Sequence, residues 1–381
     1  MFATVAGTFK KIRTKVWLFL NILVALWLLL GVLCLRVPPY EFWPAGFLAF
    51  SLPGALVLNF LFLLYWLFRL SWYVVLPLAV VGLGWNLYGR LLSVNWDREP
   101  PQGAKTLQVL SYNVHIFNAY EKIVEGVPQV SEEMVDWIAT HPADVFCLQE
   151  FYSRVNSTEF NNFNRIGKRY NRHVFASTYQ GDRIKADLGI AIFSKYPIIR
   201  GNTIRFPNTP ERSANRAAWV DVNVDGDTIR VYAVHLQSMS IRAEDIENTY
   251  SAIGDEVSFK KESRNLARRL RMGFRARAMQ VQQLLEHVRT SPYPVIVSGD
   301  FNDIPFSYTY NELVKELNNS FEDAGTGVGA TYNGPLPFLR IDNQFYSEEL
   351  EAYDFKTHYE MGLSDHFPIS ASYVIKPKAA E

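Results

Sequence analysis

Cysteine is scarce in this chain of 381 residues: Cys34 and Cys147 are the only two. That excludes a disulfide framework and any zinc site built from cysteines. Net charge is absent too, with 38 basic residues against 38 acidic ones. The balance hides a split. The first 100 residues carry eight basic and three acidic side chains, leaving 30 basic and 35 acidic for the rest. An acidic C-terminal part lacks the basic footprint of a general nucleic-acid binder. There is no internal repeat and no low-complexity tract. A hydrophobic fraction of 49% excludes a disordered chain, while a mean hydropathy of −0.04 shows that the apolar residues are gathered in one place.

They are gathered at the start. Val16–Leu35 is a 20-residue run in which Asn21 is the one strongly polar residue. A bilayer core of about 30 Å needs about 20 such residues in a helix. Phe47–Phe68 is a second run, interrupted by Ser51, Pro53, Gly54 and Asn59, and Trp72–Tyr88 is a third, with Pro77 and Asn86. Three transmembrane helices are expected within residues 1–90. A cleaved signal peptide fits poorly: the first run is long, no small-x-small site follows it, and Leu33 precedes Cys34 where a lipoprotein signal wants a small residue. Lys10, Lys11, Arg13 and Lys15 keep the N-terminus cytoplasmic, so three crossings place the remainder on the non-cytoplasmic side. Tryptophans 17, 27, 43, 66, 72 and 85 mostly fall near the ends of the runs, as interfacial aromatics do.

Residues 91–104, with Pro100, Pro101 and Gly103, read as a short linker. Residues 105–376 read as a catalytic domain, and 377–381 as a tail. From Thr106 onward, short β-branched and aromatic strands alternate with helices. The strands are Leu107–Val114, Val145–Gln149, Gly189–Phe193, Ala217–Val224, Thr228–Leu236, Val295–Ser298 and Ser370–Ile375. Ser131–Thr140 and Leu266–Arg289 carry the helical spacing. Asp225-Gly226-Asp227 signals a hairpin. The pattern suggests an α/β fold of two sheets packed face to face with helices outside.

Polar residues stand at the strand ends. Asn113 closes Val109-Leu110-Ser111-Tyr112, Glu150 closes an apolar strand from Asp144, and His235 closes Val231-Tyr232-Ala233-Val234. Val295–Ser298 leads into Gly299-Asp300-Phe301-Asn302, Asp342 follows a Gly/Pro loop, and Ser364-Asp365-His366 precedes the last strand. Any one of these reads equally well as a turn or capping residue. Six in one domain suggest a site whose hard oxygen ligands suit Mg²⁺, Mn²⁺ or Ca²⁺, with Mg²⁺ or Mn²⁺ as the expected cofactor.

The order Asn113, Glu150, His235, Asp300-x-Asn302, Asp342, Asp365-His366 resembles the endonuclease/exonuclease/phosphatase superfamily, which includes DNase I, inositol-polyphosphate phosphatases and neutral sphingomyelinases. Gly299-Asp300-Phe301-Asn302-Asp303-x-Pro305 and Ser364-Asp365-His366-x-Pro368 carry it, with the segment from Asp187 to Pro197. The resemblance implies a four-layer α/β sandwich of the DNase I-like kind, here preceded by three transmembrane α-helices. It implies Glu150 as the principal metal ligand, with Asn113 and Asp365 beside it. Asp300 would act on the attacking water, and Asn302 and His366 would hold the phosphate. Asp342 would fix the His366 tautomer, and His235 would protonate the leaving oxygen. Arg216 would be a further phosphate contact. The expected protein is a membrane-anchored, metal-dependent phosphoesterase whose partners are a phosphate-ester substrate and the lipid bilayer, a lipid or lipid-linked phosphate being favoured. A tethered nuclease stays open but is not favoured, and an inactive binding protein is disfavoured by the intact motifs. Arg264, Arg268, Arg271 and Arg275 form one helical stripe, read either as a solvated face or as a contact for anionic headgroups. Residues 238–263 read as an insertion that overhangs the site.

Overall fold

The computed structural model describes residues 2–95, 99–119, 130–181, 186–207, 209–210, 212–239, 251 and 255–376. The tail at 377–381, most of the expected insertion and the middle of the expected linker lie outside these residues.

The N-terminal part is a helical bundle. Helix α1 spans Phe2–Cys34, α2 Pro44–Phe50, α3 Leu52–Phe68, α4 Val75–Leu83 and α5 Trp85–Leu91. Within α1, Lys11–Cys34 is long and apolar enough to cross a membrane. The other two runs are not single straight helices. Pro44–Phe50 with Leu52–Phe68 bends by 44°, and Trp72–Leu83 with Trp85–Leu91 bends by 70°. Each pair meets the length and composition of a span only when taken together. So the expectation of three transmembrane helices gives way to one clear candidate and two broken ones. The cause is local. Pro53 suits only the first turn of a helix, so α3 restarts beside Ser51, and Gly84 interrupts the third run.

The three segments run antiparallel. Near one end Trp66 Nε1 donates to Asn21 Oδ1 at 3.0 Å, and Trp17 packs on Phe62 and Tyr65. Near the other end Gly31 lies against Leu52. The third segment returns: Tyr73 touches Trp66, Asn59 Nδ2 donates to Pro77 O at 3.2 Å, and Tyr88 reaches Leu56 O at 3.5 Å. Leu35, Ala49, Leu52 and Leu87 therefore share one end, and there they pack against Ile304, Phe306 and Ile341 of the following domain.

That domain holds two six-stranded sheets. One runs in the order β13 (Leu350–Thr357), β14 (Ile369–Ile375), β2 (Thr106–Asn113), β3 (Val145–Ser153), β5 (Ala186–Ser194), β4 (His173–Gly181). The other runs β10 (Asn318–Asn319), β12 (Asp342–Tyr346), β9 (Val295–Asp300), β8 (Asp227–His235), β7 (Arg216–Val224), β6 (Ile198–Ile204). Each has a single parallel pair at its middle, β2 with β3 and β8 with β9. Apolar side chains of both inner faces pack together, among them Val109, Cys147 and Ile192 from one sheet and Val220, Val231 and Ile296 from the other. Helix α6 (Val130–Thr140) covers one outer face through Met134, Val135 and Ile138. Helix α7 (Glu256–Arg289) covers the other through Ala278, Val281, Leu284 and Leu285. The result is helix, sheet, sheet, helix. The hairpin at Asp225–Gly226 forms with both residues at positive φ (51° and 100°) between Val224 and Asp227, as a two-residue turn requires.

Two features differ from expectation. Helix α7 begins ten residues earlier than its apolar spacing suggests, because Asp255 caps it by accepting from Val257 N at 3.1 Å. The stretch after Leu91 is also anchored. Ser93–Val94 (β1) pairs with Thr326–Gly327 (β11), and Arg340 donates to Arg90 O at 2.8 Å.

Candidate active site

The two central parallel pairs deliver their C-terminal ends to one place. In the register of β8 and β9, His235 stands opposite Asp300. Gly299, just before Asp300, has φ +154°, and a Cβ there would lie 2.0 Å from Val234 O. Only glycine lets the strands meet that closely, and so brings Asp300 beside His235. Antiparallel β12 places Asp342 opposite Asp300 from the other side. On the facing sheet, β3 pairs with β5 from Val145 to Leu148, then resumes at Phe151, so that Gln149 and Glu150 together oppose Ile190. This β-bulge, with Glu150 at φ 49°, breaks the strand's alternation and turns a carboxylate out of an otherwise buried strand.

Asp300 is the hub. It is buried, and its Oδ2 accepts from Asn113 Nδ2 and Asn302 Nδ2, both at 3.0 Å. His235 Nε2 lies 3.6 Å and His366 Nε2 3.7 Å from the same oxygen. Asn302, held at φ 51°, also donates its backbone N–H to Asp300 Oδ1 at 2.8 Å. Two asparagines and two imidazoles thus hold one carboxylate in place, the condition for a base that must not move. His366 Nδ1 meets Asp342 Oδ2 at 2.8 Å. Burial works against a charged imidazole, but the carboxylates of Asp342, Asp300 and Asp365 outweigh it and raise His366 to about 10. Burial likewise pushes Asp342 up to about 6, against the pull of His366. Near neutral pH the pair is therefore an imidazolium on a carboxylate. Ser364, in the loop that leads into β14, donates to Asn113 O of neighbouring β2 at 2.8 Å, and the His366–Asp342 bond ties that loop to the other sheet.

A cavity of about 160 Å³ opens over these groups, with Glu150, Asp300, Asp365, Asn302, His235 and His366 in its wall. Three carboxylates there face one imidazolium, an excess of negative charge that a divalent cation would offset. Glu150 and Asp365 are hard oxygen donors only partly covered by protein, so the donor set fits Mg²⁺ or Mn²⁺. Asn113 currently presents nitrogen to Glu150 (3.4 Å) and Asp300, so it would ligate an ion there only with its amide turned over. Asp300, Asp342 and His366 also lie within 4.8 Å of one another, but the Asp342–His366 hydrogen bond already engages two of them.

Of the residues expected from sequence, Arg216 stands apart. Its guanidinium donates to the backbone carbonyls of Ser213 and Ser177 and packs on Tyr179, and it does not line this cavity. The arginine stripe of α7 is exposed at all four positions, and Arg271 stacks on Trp43 at 5.0 Å. Sequence reasoning passed over Tyr332, which pairs with His366 as an isolated bridge and sets its ring 5.8 Å from the imidazole. It also passed over Phe50, at the break between α2 and α3, which lines the same cavity as Glu150, Asp300 and the two imidazoles. A Gly/Pro loop before Asp342 hinted at Tyr332; nothing local marks Phe50.

The chain belongs to the endonuclease/exonuclease/phosphatase family, whose sequence model matches residues 85–366. A second model, described only as a domain of unknown function, matches residues 14–91. No curated protein matches the chain significantly. Among solved structures, a conserved protein from Enterococcus faecalis, described as functionally unknown, aligns at TM-score 0.50 and 18% identity, over 71% of this chain and 100% of its own. A family member from Bacteroides thetaiotaomicron aligns at 0.49 and 16%, over 72% and 97%. The human Nocturnin catalytic domain with bound sulfate aligns at 0.48 and 15%, over 71% and 94%. At these identities the likeness concerns the fold.

Proposed function

We propose that the protein is a membrane-anchored, divalent-metal-dependent phosphoesterase that hydrolyses a phosphate ester presented at the bilayer, of a lipid or a lipid-linked molecule. What carries this reading is Phe50: a residue of the apolar bundle forms part of the wall around Asp300, Asn302 and His366. In the reaction, Asp300 takes a proton from water while the water oxygen forms a bond to phosphorus. The P–O bond to the leaving group breaks, and His235 gives that oxygen its proton. Asn302 and the His366 imidazolium hold the non-bridging oxygens, where charge builds up. Glu150, Asp365 and a turned Asn113 would hold the metal ion, which when bound offsets the phosphate charge.

The antiparallel bundle supports a matching topology, with the N-terminus cytoplasmic and the catalytic domain on the other side. A cysteine introduced at exposed Lys356 should then react with an impermeant maleimide in intact cells. Labelling only after permeabilisation refutes that orientation.

The activity test uses the full chain with Mg²⁺ against a chromogenic phosphodiester, phospholipid and sphingolipid vesicles, and plasmid DNA. We expect hydrolysis of the ester and of lipid, lost with chelator and restored by Mg²⁺ or Mn²⁺. Cleavage of DNA without cleavage of lipid would replace this reading by a nuclease.

A further inference from the structure

A second cavity, of about 210 Å³, lies next to the catalytic one. Phe50 and Leu339 line both. Its remaining walls come from two sources. Pro53 and Leu91 belong to the bundle, and Ile304, Phe306 and Val328 belong to the catalytic domain. Arg90 and Arg340 also line it, but Arg90 donates to Pro305 O (3.2 Å) and Arg340 to Arg90 O (2.8 Å) and Val328 O (3.4 Å). These guanidiniums are held by protein acceptors, although the buried Arg340 Nε has none among the described residues, and the other lining residues offer mainly hydrocarbon. The catalytic cavity has the opposite character at its floor, where carboxylates and imidazoles meet. One molecule that fills both has a phosphate at one end and an apolar chain at the other.

We infer that the second cavity is a subsite for a hydrocarbon chain of the substrate, which passes between Phe50 and Leu339 while its phosphate sits over Asp300. This rests on the phosphoesterase reading above. Continuity with the outer face of the bundle favours a lipid chain as occupant. The cavity is built at the end of helices that expose Val57, Phe60 and Leu61 outward, so it adjoins the surface where hydrocarbon is the solvent. The subsite would let an amphiphile reach the carboxylates without its chain crossing water.

The experiment uses the full chain in phosphatidylcholine nanodiscs and a series of alkyl 4-nitrophenyl phosphodiesters from methyl to decyl. Each methylene buried should raise kcat/KM about fourfold until the subsite is full. Partition into the disc also favours long chains, so the deciding quantity is the ratio of variant to wild type. Val328 is half exposed, and Val328→Trp fills the subsite without disturbing a packed core. We expect a ratio near one for the methyl ester and a drop of about tenfold or more for the octyl ester. A ratio independent of chain length overturns the inference. A second measurement needs no turnover: decyl phosphate carrying a terminal diazirine should label the segment 304–306 or Leu339, and Val328→Trp should abolish that adduct. Adducts confined to the outer faces of the bundle overturn the inference. If the adduct forms as expected while no ester is hydrolysed, the chain subsite stands and the phosphoesterase reading falls.

Discussion

The bundle and the catalytic domain solve opposite problems with the same chemistry. In the bundle the apolar side chains Phe19, Leu33 and Leu61 face outward, and among the described residues Asn21 and Asn59 are the buried polar ones. In the following domain the apolar residues fill the layers between and outside the sheets, and Asn113, His235, Asp300, Asp342 and His366 gather at one end of the strands, with the buried Arg230–Asp221 pair at the other. A difference of solvent would account for this, since Lys11–Cys34 is long and apolar enough to cross a membrane. A helix surrounded by hydrocarbon gains nothing by hiding leucine, so polar contacts and close packing hold it to its neighbours. A sheet in water is held mainly by apolar burial, and it can afford buried charge only where partners surround it. The functional site stands at the seam, with a charged floor from one region and an apolar wall from the other.

Breaking the catalytic side alone should have the largest effect. Asp300→Asn should lower kcat/KM by about 10⁴-fold, because the amide cannot take a proton, and should also lower the melting temperature somewhat, because both Asp300 oxygens accept hydrogen bonds and the amide nitrogen would face a donor. Retained activity would remove Asp300 from its role. Glu150→Gln belongs to the same class: activity at limiting Mg²⁺ should collapse and recover in part as the metal is raised.

The two imidazoles should separate next. His366→Ala and His235→Ala should each cost roughly 10²–10³-fold. A substrate with a nitrophenolate leaving group needs no proton from an acid, so it should rescue His235→Ala far more than His366→Ala. Equal rescue would show that the roles are misassigned.

The seam itself is the third test. A Cβ on Gly46 would meet the ring of Phe274 at 2.6 Å, so Gly46→Leu should push α2 off α7. Overpacking of this kind typically costs about 1–3 kcal/mol. Hydrolysis of lipid in vesicles should fall about tenfold, and that of a soluble methyl ester should stay within about twofold, the fraction of a kcal/mol expected for a site left intact. An equal fall in both would mean that the bundle supports the site mechanically and presents nothing.

A smaller effect concerns pH. His366 keeps its proton up to about 10 because Asp342 is the largest attraction that raises it. Asp342→Asn removes that charge, so the alkaline limb of kcat/KM should move to lower pH, by about one unit or more. An unmoved limb would detach His366 from the profile.

The smallest expected effect lies within the bundle. Asn21→Leu leaves Trp66 Nε1 without its acceptor and should cost about 0.6–2 kcal/mol, read as a lower unfolding midpoint in detergent with catalysis unchanged.

The sequence by itself determined what depends on neighbours along the chain. The apolar runs, the turn at Asp225–Gly226 and the strands from Val109, Val145 and Val295 announce themselves through composition and period. The motifs around Asp300 and Asp365 carry the likeness to the family, since each is a contiguous string of residues that can be read without the fold. Strands β4, β6, β12 and β13 carry weaker alternation and became visible only through their pairing partners. The tertiary structure alone decided the bulge that turns Glu150 outward, the diversion of Arg216 to Ser213 O, and the bends that break the second and third apolar runs. It alone put Phe50 in the wall of the same cavity as Asp300, some 250 residues further along the chain. A local pattern records what one segment prefers. Which segment becomes the wall of another's cavity is settled by how the bundle end packs on Ile304, Phe306 and Ile341, and no window along the chain contains both sides of that contact.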